Sequence, residues 1–460
     1  MAKIHLTTLG CPKNRVDAEH MLGLAQSMGH ELVSHADDAD ALIVNTCAFI
    51  DQAKEESIDS ILELSSVKEK AKGQKKLIVT GCLAQRYADE LLKELPEVDH
   101  FLGTSDYSLI NDLLGDGHLD VRQHKRGALV SLGRKAKTRN LVSSDLSYIE
   151  RFDLPRVNTS PSFSAYLRIS EGCDNACAFC IIPKLRGKQR SRSIDDLVKE
   201  AHNLASAGVM ELNLIGQDLT AYGFDLPGRP TLGALLSALA SVPGIRWIRQ
   251  MYAYPRSFNI TYFKAFEHKS VLPYIDMPVQ HGSESVLRSM GRGGSKKRLN
   301  GIIRSLRSNI DGLILRTTVM VGFPHETADD FKELCDFVQE NRFDRMGVFK
   351  YSNEENTRAY DFSEQVPDAI KEERFHELMS IQREISAEKM KELIGTVQEA
   401  VIEGRSDEHE LLIRGRLWSQ APDIDGMTYI SSFNELSLGQ VVKVRITDAH
   451  DYDLSGEVVE

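Results

Sequence analysis

The sequence predicts a multidomain α/β protein: an N-terminal doubly wound α/β domain, a central partial (β/α) barrel and a small C-terminal antiparallel β-barrel. Three observations predict it. Residues 1–117 alternate short apolar runs with helical segments. From about 162 to 388 the same alternation returns with six candidate strands. The last 65 or so residues carry only short alternating runs broken by Gly and Asp. At 460 residues the chain has room for roughly three domains of about 150.

In the first segment Ile4-His5-Leu6, Ala41-Leu42-Ile43-Val44 and Leu77-Ile78-Val79 read as strands, and 17–28, 52–64 and 83–94 as helices. A βαβα order of this kind builds a mostly parallel sheet with helices on both faces. Residues 118–160 read as a linker with a basic run (His124, Lys125, Arg126, Arg134, Lys135, Lys137, Arg139) and with Pro155 and Pro161 at its end. A solvated connector is the plain reading of such a run. Within 161–390, strands at 166–170, 211–215, 247–252, 274–277, 313–321 and 345–349 have helices at 194–207, 231–239 and 327–340 among them. That pattern suggests a full or partial α/β barrel, because parallel strands need helical crossovers. A charged helix follows over 368–393. In 393–460 the runs at 397–402, 410–414, 428–430, 441–447 and 454–459 have the spacing of a small all-β barrel.

Hydrophobic residues make up 42% and charged residues 27%, the balance of an ordinary globular chain. No run of about 18 apolar residues exists to span a bilayer. Met1-Ala2-Lys3-Ile4-His5-Leu6 lacks the apolar core and cleavage site of a signal peptide, so a cytoplasmic protein with no membrane partner is expected. In that reducing compartment the seven cysteines read as metal ligands or catalytic thiols rather than disulfides.

The strongest motif is Cys173-Asp174-Asn175-Ala176-Cys177-Ala178-Phe179-Cys180. Three thiolates in so short a span can wrap one metal centre. A [4Fe–4S] cube normally takes four cysteines. With three, one iron keeps an open position where a substrate can coordinate, as at an open catalytic metal site. A structural zinc would need a fourth ligand, yet the next twenty residues hold no Cys or His. A thioredoxin-like pair would leave Cys173 unexplained. CxxxCxxC, with an aromatic residue before its last cysteine and at the mouth of a βα barrel, resembles the radical S-adenosylmethionine superfamily. The resemblance implies that the open iron binds the amino and carboxylate groups of S-adenosylmethionine, which is cleaved to methionine and a 5′-deoxyadenosyl radical. It also implies that Gly216, Gln217 and Asp218, after the strand at 211–215, meet the methionine amino group, although the more common Gly-Gly-Glu is absent here. Gln280, Ser283, Val319 and Gly322 are further candidates for cofactor contact, with a turn or core role as the alternative.

Cys11, Cys47 and Cys82 each follow a short apolar strand. In a parallel doubly wound sheet the strand C-termini share one edge, where ligands bind. Three thiols there can converge on one site. Three unrelated buried cysteines would look the same by composition, since free Cys is often buried. The local sequences decide. Leu9-Gly10-Cys11-Pro12-Lys13-Asn14, Asn45-Thr46-Cys47-Ala48-Phe49-Ile50 and Gly81-Cys82-Leu83-Ala84-Gln85-Arg86 resemble the N-terminal domain of the methylthiotransferases, and the C-terminal β-barrel resembles a TRAM domain. This resemblance spans essentially the whole chain. It implies a second [4Fe–4S] cluster, on Cys11, Cys47 and Cys82, that carries the sulfur to be transferred. Cys335 differs: with Phe331, Leu334 and Val338 it lies on the apolar face of a helix and reads as core.

That family splits between a transfer-RNA adenosine and an aspartate of small-subunit ribosomal protein twelve. Leu-Gly-Cys-Pro-Lys-Asn at 9–14, residues 273–281 and Ala421-Pro422-Asp423-Ile424-Asp425-Gly426 resemble the ribosomal-protein branch. Charge agrees. Residues 393–460 hold thirteen acidic against five basic side chains, a balance of −8 within the chain's −11. Such a domain repels phosphates and suits a basic ribosomal protein, so direct RNA binding is not expected. An acidic solvated face without a role is the alternative. Two other function classes remain: a non-catalytic iron–sulfur carrier, told apart by failure to cleave S-adenosylmethionine, and an RNA-binding module with structural metal, told apart by salt-sensitive RNA binding. The resemblance further implies a reducing electron donor, one S-adenosylmethionine that methylates a cluster-held sulfur, and a second that yields the radical attacking the aspartate β-carbon.

Overall fold

The computed structural model describes residues 1–114, 139–256, 258–406 and 412–459. The basic run from His124 to Lys137 and the acidic Asp407, Glu408, Glu410 and Glu460 lie outside the described residues. The chain divides into two units: Met1–Thr159 with Ser170–Asp174 and Ile181–Arg192, and Ser160–Ile169 with Asn175–Cys180 and Ser193–Glu460.

The first unit is built on five parallel strands in the order Glu31–Leu32, Lys3–Thr8, Ala41–Thr46, Lys76–Gly81, His100–Leu102. Ala41–Thr46 is buried along its whole length, as a central parallel strand covered on both faces must be. Alternate residues face opposite layers. Leu42, Val44, Leu77 and Val79 pack with Ile61 and Leu64 on one side. Ile43 and Ile78 pack with Met21 and Ile110 on the other. The crossovers are the helices Pro12–Ser27, Asp51–Lys70 and Cys82–Glu94. Residues after 138 pack onto this unit. Arg139, counted in the basic run, donates to the carbonyls of Leu92, Leu95 and Val98 and so serves the C-terminal end of the helix Cys82–Glu94. Arg156 pairs at 2.6 Å with the fully buried Glu19.

The second unit holds six parallel strands in the order Arg345–Lys350, Ile314–Val321, Val271–Asp276, Trp247–Gln250, Glu211–Ile215, Ser164–Arg168. The sheet does not close, so the barrel is partial. Leu167, Leu212, Leu214, Ile248, Ile275 and Leu315 pack against helix residues such as Leu197, Leu235, Leu306 and Phe337. The other face of the same strands is polar and still buried: Tyr166, Arg168, Glu211, Asn213, Arg249, Tyr274 and Asp276. Ser193, Thr231 and Thr327 cap the helices Ile194–Ser206, Leu232–Ala240 and Ala328–Asn341, the last with a capping box to Asp330. Cys335 is buried in the core cluster of this barrel, as the helical spacing predicts.

After the helix Asp368–Lys391, five strands (Val397–Arg405, Ile413–Leu417, Thr428–Ser431, Leu454–Val459, Val441–Ala449) close into a barrel around Ala400, Ile402, Leu417, Ile430, Val444, Ile446 and Leu454. Its 416–425 region is tied to the six-stranded sheet by buried charge. Arg416 donates to Glu211 at 2.5 and 3.0 Å, and Arg249 donates to the same carboxylate at 3.1 Å. Tyr274 donates to Asp425 at 2.7 Å and Tyr166 to Asp423 at 3.3 Å. Two of the thirteen acidic residues, Asp423 and Asp425, therefore join the barrel to the sheet.

Candidate functional site

Cys11, Cys47 and Cys82 lie at the C-terminal ends of three adjacent strands of the first sheet, Lys3–Thr8, Ala41–Thr46 and Lys76–Gly81. Adjacent strands lie about 4.8 Å apart, so the three loops are neighbours. Cys11 is the N-cap of the helix Pro12–Ser27, and Cys82 opens the helix Cys82–Glu94. The loops approach closely. Gly10 has φ +86°, and a Cβ there would sit 2.7 Å from Cys47 Cβ and 3.0 Å from its Sγ. Gly81, at φ +96°, passes as tightly against Asn45 and Thr46.

Asn14 clamps this edge. Its amide donates to Leu9 O at 3.0 Å and to Thr46 O at 2.9 Å, fixing the Cys11 and Cys47 loops to each other. Its Oδ1 accepts from Arg186 at 2.6 Å and lies 3.8 Å from Cys82 Sγ. Ser57 holds Cys47 by accepting from its N–H at 3.0 Å and donating to its carbonyl at 2.9 Å. Burial pushes the Cys47 thiol up, with the neighbouring Cys11 adding to it. Burial likewise pushes Cys82 up to about 12, against the pull of Arg186. Such thiols ionise when a cation binds them. Among the described residues no three His, Cys, Asp or Glu side chains crowd closely enough for one ion; a four-iron cube spreads its thiolates farther apart than a single ion does.

In the CxxxCxxC segment Cys173, Cys177 and Cys180 are all half-buried. Cys173 N–H donates to Gly187 O at 3.1 Å, inside the first unit. Cys177 and Cys180 belong to the second unit, where Ala178 N–H donates to Met290 O at 2.7 Å. Arg292 brings its guanidinium 3.5 Å from Cys177 Sγ, donates to Pro278 O at 2.6 Å and lies 4.3 Å over the Tyr254 ring. Asp218, buried at the end of the strand Glu211–Ile215, accepts from Asn175 at 2.8 Å and from Arg256 at 3.3 Å. Asn175 lies inside the cysteine motif, so the strand end and the motif are joined directly.

The other cofactor candidates also sit at strand C-termini. Gly216 is buried and Gln217 half-buried beside Asp218. Gln280 has φ +72°, uncommon for a non-glycine residue, and is bridged to Val319 by Gln280 N–H to Thr318 O and Met320 N–H to Gln280 O. Gly322, at φ +74°, ends that strand, and its N–H donates to Glu326 at 2.8 Å. Ser283 is different: its hydroxyl is buried and donates to Asp330 at 2.6 Å, which gives it a structural task beside the helix Glu284–Ser289. Sequence reasoning missed Asn14, Arg186, Arg292, Tyr254 and Arg256. Asn14 is part of the quoted Cys11 motif; the others carry no local signal.

Comparison with known proteins assigns all three regions. Residues 3–103 match the Uncharacterized protein family UPF0004, 167–338 the Radical SAM superfamily and 394–459 the TRAM domain. The chain is 51% identical over 459 residues to "Ribosomal protein uS12 methylthiotransferase RimO" of Myxococcus xanthus, covering 99% of this chain and 92% of that one. It is 46% identical to the protein of the same name from Geotalea uraniireducens, covering 99% and 98%. Among solved structures, the radical S-adenosylmethionine methyltransferase TsrM from Kitasatospora setae, with cobalamin and a [4Fe-4S] cluster bound, superposes with TM-score 0.53 at 11% identity over 83% of this chain and 88% of that one. That last likeness is one of fold.

Proposed function

The chain belongs to the RimO family of ribosomal protein uS12 methylthiotransferases, and from that membership we propose that it places a methylthio group on the β-carbon of an aspartate in uS12. The observation that carries the reading is identity of up to 51% along 99% of the chain to proteins of that name. In this reading Cys173, Cys177 and Cys180 hold one [4Fe–4S] cluster with its fourth position open to S-adenosylmethionine, and Cys11, Cys47 and Cys82 hold a second. The chemistry those bound groups supply is hydrogen abstraction from an unactivated carbon and delivery of a methylthio group. No side-chain base does this near pH 7, because such a C–H bond is far too weak an acid.

The chain's own residues position and balance. Asn14 and Ser57 fix the loops of the second cysteine set, and Arg292 sets a positive charge beside Cys177. Asp218, Gly216, Gln217, Gln280, Val319 and Gly322 line the strand ends that receive S-adenosylmethionine, with Ser283, which donates to Asp330, beside them. The domain limits that go with this are 1–117, 161–390 and 393–460, joined by 118–160.

Among the described residues no helix is long and apolar enough to cross a membrane, and we assign the enzyme to the cytoplasm, where ribosomal proteins are. A reducing electron donor is required. The partner is uS12 and not RNA: Arg416, one of the five cations of the last domain, is 3% exposed and bound to Glu211, which leaves few to meet phosphates. The test is an anaerobic reaction of reduced enzyme with uS12 and, in parallel, with transfer RNA, read by mass spectrometry. Methylthio-aspartate in uS12 and unmodified RNA support the reading; the reverse pattern refutes it.

A further inference from the structure

We propose that Arg186 is a positioning residue for the Cys11, Cys47 and Cys82 site, supplying the fixed positive charge that tunes a cluster there and tying the segment before Cys173 to it. This rests on the reading that those cysteines hold a cluster. Arg186 ends the short helix Ile182–Arg186, and its side chain is 2% exposed. Nη1 donates to Glu171 at 3.0 Å, two residues before Cys173. Nη2 donates to Asn14 Oδ1 at 2.6 Å and to Asp17 at 2.9 Å, and it lies 3.9 Å from Cys82 Sγ. The segment is pinned on both sides, by the pairing of Ser170–Glu171 with Arg190–Ser191 and by the Cys173 N–H to Gly187 O bond. Everything named belongs to the first unit.

A structural ion pair would be complete with Asp17 and Glu171 alone. The guanidinium goes further. Its Nη2 also lies 3.9 Å from Cys82 Sγ, and the Asn14 side chain it bonds ties the Cys11 loop to the Cys47 loop. One buried cation therefore lies beside one of the three thiols and bonds the clamp that holds the loops of the other two. Net charge and hydrogen bonds to sulfur are what set the reduction potential of an iron–sulfur cluster. A cation near the sulfurs stabilises the reduced, more negative state, while Asp17 opposes it. The two residues should thus shift the potential in opposite directions, which loosened packing would not do.

The test uses the full chain carrying Cys173→Ala, Cys177→Ala and Cys180→Ala, so that remaining iron belongs to the other set. Iron per chain and the midpoint potential are measured by EPR-monitored titration. Arg186→Gln should lower the potential by at least a tenfold change in the reduction equilibrium, about 59 mV for one electron. Asp17→Asn should raise it, and Arg186→Lys, which keeps the charge, should fall between the parent and Arg186→Gln. Unchanged potentials, or shifts of one sign in Arg186→Gln and Asp17→Asn, overturn the proposal. Should Arg186→Gln fail to fold, Asp17→Asn decides: a rise supports the proposal, and no change or a fall overturns it. A parent background without iron contradicts the cluster reading instead, so the two failures are distinct.

Discussion

Asn14→Ala removes the amide that donates to Leu9 O at 3.0 Å and Thr46 O at 2.9 Å, and the oxygen that accepts from Arg186 at 2.6 Å. Each buried polar group left unmet costs about 1–3 kcal/mol. Arg186 keeps Asp17 and Glu171, so the two carbonyls dominate, and the expected loss is roughly 2–5 kcal/mol. It falls on the segments that carry Cys11 and Cys47, which links stability to metal content. Urea unfolding of the metal-free protein should show an earlier transition, and anaerobic reconstitution should recover about half of eight irons, those of the other cluster. Asn14→Asp keeps the outline but turns both donors into acceptors facing carbonyls, and should do no better. Wild-type stability within about 0.5 kcal/mol together with full iron in Asn14→Ala would refute the clamp.

Three further outcomes follow from the same geometry. Changing Cys173, Cys177 and Cys180 to Ala should leave about half the iron, and changing Cys11, Cys47 and Cys82 should leave the complementary half; full iron in either triple variant breaks the assignment, as would iron loss in Cys335→Ala. The Cys11, Cys47, Cys82 variant should still form 5′-deoxyadenosine while making no methylthiolated uS12, measured on one reaction by liquid chromatography. Burial works against the Glu211 charge, yet Arg416 and Arg249 hold its carboxyl down at about 2, below its ordinary 4.5. Because the folded value is the lower one, this stabilisation is present above pH 4.5 and disappears as pH falls toward 2; Glu211→Gln should flatten that part of the stability profile, and an unaltered slope would show that another group governs it.

How much of this was legible in the sequence depended on range. The strand 211–215 and the starts of the helices after Ser193, Thr231 and Thr327 follow from local period and capping chemistry, and they stand within a residue or so of where the pattern puts them. That the three first-unit cysteines share one edge was legible because each ends a strand and a parallel sheet sends all such ends to one edge; that they belong to one site was read from the resemblance of their local sequences. The two-residue strand Glu31–Leu32 and the three-residue His100–Leu102 are too short to show a period. Arg186 reads locally as one more basic side chain, yet its partner Asn14 is 172 positions away. Arg416 and Glu211 are 205 apart, and their pairing depends on how one barrel seats on another. The crossings of the chain between units around 160–193 were invisible for the same reason: Ser170–Asp174 and Ile181–Arg192 have the composition of barrel loops but bond to the first unit.

The central claim is that a radical formed from S-adenosylmethionine takes hydrogen directly from the aspartate β-carbon, with the cysteine sets, not a side-chain base, making that abstraction possible. The most direct measurement uses uS12 carrying deuterium at that carbon, reduced enzyme and unlabelled S-adenosylmethionine, with the nucleoside product read by mass spectrometry. Direct abstraction predicts deuterium in 5′-deoxyadenosine, accompanying the methylthiolated protein. Label that washes into water while none reaches the nucleoside would contradict it.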